Sequence, residues 1–245
     1  MLNKMKRVLV VGGSEEYTGA VYLSAVSALR SGAGSVIVMA PSKVAWALNA
    51  LSSDLVTRKL SGAYLTRAHL PTIMRQLKTA DILLMGNGVG TRLGTASLMR
   101  SLMRWPWMKV VDADAIKVLR RNNISNAILT PNEGEWKLLH RNNDISKLLK
   151  QNVVIIRKSN HTKILALGKN LRAISTNPGL ERAGMGDVLA GMCAGNLARG
   201  FSLLNAAENA TKTGSAISDI LTKRKKGYFF LASDIAQELQ KWRRH

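Results

Sequence analysis

Short β-branched runs and longer amphipathic stretches follow one another along most of this chain, and that alternation constrains its fold more than any other feature. Residues 8–11, 35–39, 82–85, 109–112, 127–129 and 153–156 read as strands, and 20–30, 42–51, 65–78, 96–103, 115–121 and 133–140 as helices. Strand then helix, repeated, predicts a mostly parallel sheet with helices on both faces, an α/β three-layer architecture. Beyond residue 153 the pattern changes. Residues 155–175 read as two or three strands joined by short turns, Gly168-Lys169-Asn170 being the clearest. Helices then follow at 187–198, 203–221 and 233–243. No long linker, low-complexity segment or internal repeat divides the chain, so one domain over residues 1–245 is expected.

A chain of 245 residues is long enough to bury one sizeable core. It contains no apolar run of about 18 residues, so no membrane span or membrane partner is expected. The N-terminal MLNKMKRVLVVGGS passes from an apolar run straight into a glycine turn without a small-residue cleavage site, which reads as a strand and not a signal peptide. Cys193 is the lone cysteine, which excludes intramolecular disulfides and a cysteine-rich metal site. The cytoplasm is the expected compartment.

Charge is the unusual quantity. Lys and Arg number 36 against 15 Asp and Glu, a net +21, which favours polyanions and brings nucleic acid into consideration. The basic residues are nevertheless dispersed, with short clusters only at Lys223-Arg224-Lys225-Lys226 and Arg243-Arg244. Aromatic residues are sparse, and no RNA-recognition or zinc-finger pattern interleaves with the charge. The excess reads as a solvated basic surface that draws in anionic small substrates, with no specific nucleic-acid partner.

In doubly wound sheets ligands collect beyond the carboxyl ends of the strands. Here those positions carry GGSEEYTGA at 12–20, GNGVG at 86–90, DADA at 112–115, TPNEGEW at 130–136 and RKSNHT at 157–162. NPGLERAGMGDVLAG at 177–191 completes the set. Each alone is compatible with a tight turn; together on one side of a sheet they describe a cleft. Gly184 and Gly186 ahead of a helix suit an anion, since glycine lets backbone N–H groups approach closely and the helix N-terminus is partially positive. Asp187 among them is either the helix cap or a base beside bound phosphate. Asn132 and Glu135, three apart, either hold a hydrated Mg²⁺ or form an ordinary helix start. Lys158 and Thr162 either meet nucleotide phosphate or bracket a surface hairpin.

In their order, these motifs resemble the ADP/ATP-dependent NAD(P)H-hydrate dehydratases of the ribokinase-like superfamily, over nearly the whole chain from Val8 to about Ala210. The resemblance implies a ribokinase-like fold and a hydro-lyase that repairs hydrated NADH or NADPH. In the family, the ring hydroxyl is phosphorylated at the expense of ADP or ATP, and elimination of phosphate restores the cofactor. It implies Asp187 as the catalytic base, with backbone N–H groups of Ala183, Gly184, Met185 and Gly186 as an anion hole. Lys158, Ser159, Asn160, His161, Thr162 and Gly186 fall on the nucleotide-binding positions. Ala20, Gly88, Asn132 and Asp187 fall on substrate positions, and Glu135, with Asn132, on the Mg²⁺ site through water. A homo-oligomer, tetrameric in the family, is expected. The chain starts directly on the first dehydratase strand, so it resembles the stand-alone form without an N-terminal epimerase domain.

The chain also departs from the family. GLERAGMGD stands where GMATGGTGD is usual, so Glu181 and Arg182 replace small residues, Ala183 a glycine and Met185 a threonine. Ser159 replaces a glycine, and Asn132 replaces a histidine, giving the N-x-x-E of ribokinase-like sugar kinases. A small-molecule kinase and a nucleotide-binding homologue with reduced or lost activity are therefore the competing readings. Arg182 is expected to swing to nucleotide phosphate, or else to pair with a carboxylate such as Glu181. For the basic surface, the expected result is weak, sequence-blind nucleic-acid binding that vanishes near physiological salt, read as a steep log–log salt dependence. A tight, salt-resistant complex with a defined RNA or DNA would overturn it.

Overall fold

Strand β1 (Arg7–Val11) shows how the layers are set. Its side chains alternate between two separate cores, Val8 and Val10 in one and Leu9 and Val11 in the other, as a strand buried on both faces requires. The computed structural model describes residues 6–159, 161–168 and 172–242. Among them the strands β1, β2 (Ser35–Pro41), β3 (Val56–Leu60), β4 (Ile82–Met85), β5 (Met108–Val111), β6 (Ala127–Leu129), β7 (Val153–Arg157), β8 (His161–Leu165) and β9 (Arg172–Ser175) form one sheet. Its order is β3-β2-β1-β4-β5-β6-β7-β8-β9, parallel from β3 to β7 and antiparallel from β7 to β9. The chain winds outward from β1 to β3, then returns to place β4 on the other side of β1. The crevice at the carboxyl ends of such a switch point is where this architecture binds ligands.

Helices α1 (Thr18–Arg30), α2 (Ser42–Leu51), α8 (Met185–Ala198), α9 (Leu203–Arg224) and α10 (Ala232–Glu238) cover the face bearing Val8 and Val10. Helices α3 (Leu70–Leu77), α4 (Leu93–Met103), α5 (Asp114–Val118), α6 (Glu133–Asn142) and α7 (Ile145–Lys150) cover the face bearing Leu9 and Val11. The result is the expected three-layer α/β arrangement. No helix among the described residues is long and apolar enough to cross a membrane.

Element boundaries differ from expectation for local reasons. The helix expected over 65–78 begins only at Leu70, where Pro71 occupies the first turn after a short 3-10 segment, Arg67–His69. The helix expected over 115–121 ends at Val118, because Leu119 is extended and Arg121 and Asn122 take φ of 55° and 51°. Strand β3 and helix α7 were not visible in the pattern. β3 is an edge strand whose Arg58 and Lys59 interrupt any apolar run, and α7 has only 6 residues, too few to show a helical period. The last helix stops at Glu238, short of the expected 233–243. Of the expected turn, Lys169 and Asn170 lie outside the described residues, as do Arg243 and Arg244.

The closest packing between helices is that of α8 on α1. A Cβ on Gly191 would overlap the Ser24 carbonyl oxygen, and one on Gly195 would sit 2.5 Å from that of Ala28. Backbone oxygens cannot rotate aside as a side chain can. Gly191→Ala should therefore destabilise the protein by about 1–3 kcal/mol through overpacking, despite alanine's higher helix propensity. Equal or greater stability in urea unfolding would refute this.

Candidate active site

The carboxyl ends of β4 to β7 each deliver one polar side chain to a common point. Asp112 follows β5, Thr130 follows β6 and Lys158 follows β7, while Asn87 lies in the loop after β4. Thr130 donates its hydroxyl to Asp112 Oδ1 at 2.6 Å, and the Lys158 ammonium reaches the same oxygen at 3.0 Å. Asn87 Nδ2 donates to Asp112 Oδ2 at 3.0 Å and to Asp187 Oδ1 at 2.7 Å. Lys158 is further fixed by its own N–H, which donates to the Pro131 carbonyl at 2.8 Å.

Asp187 enters from the opposite side, on the first turn of α8. Gly184, not Asp187, occupies the cap position of that helix. Its φ of +83° belongs to glycine, and a Cβ there would lie 2.8 Å from Leu23 and 2.9 Å from Ala232. The hydrogen-bond ladder begins when Val188 N–H donates to the Gly184 carbonyl at 3.1 Å, which leaves the Gly186 and Asp187 N–H groups outside it. Met185 N–H, by contrast, closes a turn onto the Arg182 carbonyl at 3.3 Å.

Electrostatics at this point are dominated by burial. Burial, reinforced by Asp112, lifts the Asp187 carboxyl to about 7, against the opposing pull of the Asn87 amide and Lys158. Burial likewise raises Glu135, with Lys158 and the Asn132 N–H pulling the other way. Burial works against the Lys158 ammonium too, but Asp112 and Glu135 outweigh it and raise its pKa, so it stays charged. An acid–base group near 7 beside a fixed cation, at a helix N-terminus, is equipped to move a proton at neutral pH next to a bound anion.

A cleft of about 860 Å³ opens here, bounded by the loops after β5 to β7, the segment before α8, and α8, α9 and α10. Lys158, Ser159, His161, Thr162, Ala183, Gly184, Met185, Gly186, Asp187, Asn132 and Glu135 all line it. Asn160 lies outside the described residues. The Lys158 ammonium lies against Gly186, so close that a Cβ at that glycine would be 2.8 Å from Nζ. Ser159 and Thr162 also hold the turn together: the Ser159 hydroxyl donates to the His161 carbonyl at 2.8 Å, and Thr162 donates to the Ser159 carbonyl at 3.0 Å. Asn132 and Glu135 form a reciprocal helix cap. Asn132 Oδ1 accepts the Glu135 N–H at 2.9 Å, and Glu135 Oε2 accepts the Asn132 N–H at 3.0 Å. Ala20 and Gly88 are not part of the cleft lining. They meet each other instead, beside Tyr17, one residue along the chain from Asn87.

The altered segment before α8 resolves into separate roles. The Met185 side chain is buried against the core and at the same time forms part of the cleft lining. The Arg182 guanidinium donates to the Phe230 carbonyl at 3.3 Å, a partner that neither expectation for it named. Sequence reasoning missed Asn87 and Asp112 as site residues. The only signals were their places in GNGVG and DADA, directly after parallel strands.

Against known proteins, residues 8–241 match the family described as NAD(P)H-hydrate dehydratase. The chain belongs to that family. Over 249 residues it is 33% identical to the bifunctional NAD(P)H-hydrate repair enzyme Nnr of Methanothermobacter thermautotrophicus, covering 94% of this chain and 48% of that protein. It is 27% identical over 250 residues to the ADP-dependent (S)-NAD(P)H-hydrate dehydratase of Enterococcus faecalis, covering 95% of this chain and 82% of that one. Among solved structures it resembles a ribokinase-like superfamily protein of Enterococcus faecalis with a TM-score of 0.81 and 25% identity, over 97% of this chain and 86% of that one. The fold is thus ribokinase-like. The chain spans about half the length of the first curated relatives it matches.

In this dehydratase-family site, the raised Asp187 pKa is also a statement about stability. A carboxyl that titrates near 7 when folded and near 3.9 when unfolded opposes folding as pH rises between those values, and the full cost persists above 7. Asp187→Asn should therefore raise stability at pH 8, by at most about 4 kcal/mol, and leave it nearly unchanged at pH 4. A variant less stable than the parent at pH 8 would contradict the desolvated carboxylate.

Proposed function

We propose that this chain catalyses ADP- or ATP-dependent dehydration of hydrated NADH or NADPH, a lyase reaction of nicotinamide-cofactor repair. The observation that carries the reading is Asp187, a carboxyl with a pKa near 7 on the first turn of α8, facing a cleft beside Lys158 and Gly186. Family membership and the activity named for the Enterococcus faecalis relative point the same way.

On this reading the nucleotide's phosphates lie over the first turn of α8, where the Gly186 N–H and the Lys158 ammonium meet the transferring group. Met185 N–H is already engaged with Arg182, so the anion hole rests mainly on its neighbours Ala183, Gly184 and Gly186. Asp187 removes the proton from the ring hydroxyl as its oxygen bonds to the terminal phosphorus and the bridging P–O bond to the nucleotide breaks. The C–O bond to the new phosphate then breaks, phosphate leaves, and loss of a ring proton restores the double bond. Ser159, His161 and Thr162 form the nucleotide wall, and Ala20 with Gly88 the nicotinamide side. Asn132 also belongs to the substrate surface.

The residues present fit a hydrated Mg²⁺. Glu135 is a buried carboxylate lining the cleft with one oxygen committed to the Asn132 N–H, leaving the other for water. Mg²⁺ gives up its waters reluctantly, so a single carboxylate reaching it through water suits its chemistry. When bound, Mg²⁺ would neutralise phosphate charge. We infer a cytoplasmic setting from the lone, buried Cys193, and a homo-oligomer, tetrameric as in the family, from the resemblance.

Incubation with hydrated NADH or NADPH, Mg²⁺ and either ADP or ATP should restore absorbance at the reduced-nicotinamide band. Asp187→Asn should lower the rate by about 10²–10⁴-fold while nucleotide binding persists. Nucleotide turnover with other hydroxylated substrates but none with the hydrates would favour a small-molecule kinase instead.

A further inference from the structure

Asn87 is placed by its backbone neighbours on both sides. The glycines on either side of it have φ of +112° at Gly86 and +66° at Gly88, conformations that side chains rarely adopt. A Cβ on Gly86 would overlap the Asp112 carbonyl oxygen, and one on Gly88 would lie 2.7 Å from that of Tyr17. The Asn87 carbonyl accepts the Gly13 N–H at 2.8 Å, which ties this loop to the one after β1. The side chain is fully buried. It has little freedom to move.

Its amide bridges the two aspartates, one N–H to Asp112 Oδ2 at 3.0 Å and the other to Asp187 Oδ1 at 2.7 Å. The orientation is dictated by chemistry. A flipped amide would set its carbonyl against two carboxylates, which accept and do not donate when ionised. Both N–H donors are thereby used, while Oδ1 has no hydrogen-bond partner among the described residues. A buried acceptor left unpaired works against folding, so what the side chain contributes here is its donor end.

We propose that Asn87 is the positioning residue for Asp187: its amide clamps one oxygen of that carboxylate, holds it beside Asp112 without mutual repulsion prevailing, and leaves Oδ2 free to take the substrate proton. This rests on the reading of Asp187 as the base. The charged groups facing Asp187 are Asp112 from the end of β5, Glu135 from α6 and Lys158 from the end of β7. Without the amide, two carboxylates and one ammonium remain around it. Asp187 then ionises less readily, and its orientation is no longer fixed.

The test compares the parent with Asn87→Leu, which keeps the branched shape without donors, and Asn87→Ala, which makes room for a donating water. Asp187 is titrated directly by carboxyl ¹³C NMR, its signal assigned with Asp187→Asn, and the pH dependence of kcat/KM is measured beside it. In Asn87→Leu both the Asp187 midpoint and the acidic limb of kcat/KM should move up by about one to two pH units. Asn87→Ala should shift in the same direction by less, and nucleotide affinity at pH 8 should be unchanged in both. An unmoved Asp187 midpoint in a folded variant overturns the clamp, and Asn87→Ala decides alone if the Leu variant does not fold. A moved midpoint in a protein whose parent does not act on the hydrates supports the clamp and refutes the dehydratase reading, so the two failures are distinct.

Discussion

A buried carboxylate, Asp112, and a half-buried one, Asp187, share one amide beside the Lys158 ammonium, and the site is organised around keeping the two together. Bringing like charges together out of water is unfavourable unless donors and a counter-ion accompany them. Thr130, Asn87 and Lys158 fill that role, each from the end of a different parallel strand or the loop beyond it. Desolvation, with the Asp112 charge beside it, is what these partners do not fully offset, and it lifts Asp187 to about 7. A carboxyl that would be a weak base in water becomes a competent one at neutral pH, and the same desolvation makes the folded state less stable than a neutral side chain would.

The fold serves this arrangement through close approaches of backbone. Gly184 lets the chain enter α8 in a left-handed conformation, and Gly186 leaves space for the Lys158 ammonium against the helix end. Gly191 and Gly195 seat α8 directly on α1, so the helix that carries Asp187 is anchored along its length. The altered residues leading into α8 are accommodated around the cleft: Met185 between core and cleft wall, and Arg182 against the Phe230 carbonyl.

Fold and site were unequally legible in the sequence. The α/β layering was readable because strand and helix periods differ and repeat in order, and the apolar runs of β1, β2, β4, β5 and β7 are buried on both faces. Edge strand β3 escaped because an edge tolerates Arg58 and Lys59, and helix α7 because it is too short to show a period. In the site, Lys158, Gly186 and Asp187 stood in recognisable spacing. Asn132 and Glu135 at i and i+3 left a cap and a metal site equally open, and only the geometry shows the reciprocal cap.

By itself, the sequence determined the class of fold, the family and the run of residues from Gly184 to Asp187 that opens α8, because these depend on periodicity and on local backbone freedom. Tertiary structure decided the chemistry of the pair. Asn87 and Asp187 are 100 positions apart, and Asp112 and Lys158 are 46 apart. No local pattern records that one amide would bridge two carboxylates, nor that Ala20 and Gly88 would pack together. A pKa is set by desolvation and by charges within a few ångströms, and those distances exist only once the strands have aligned their ends.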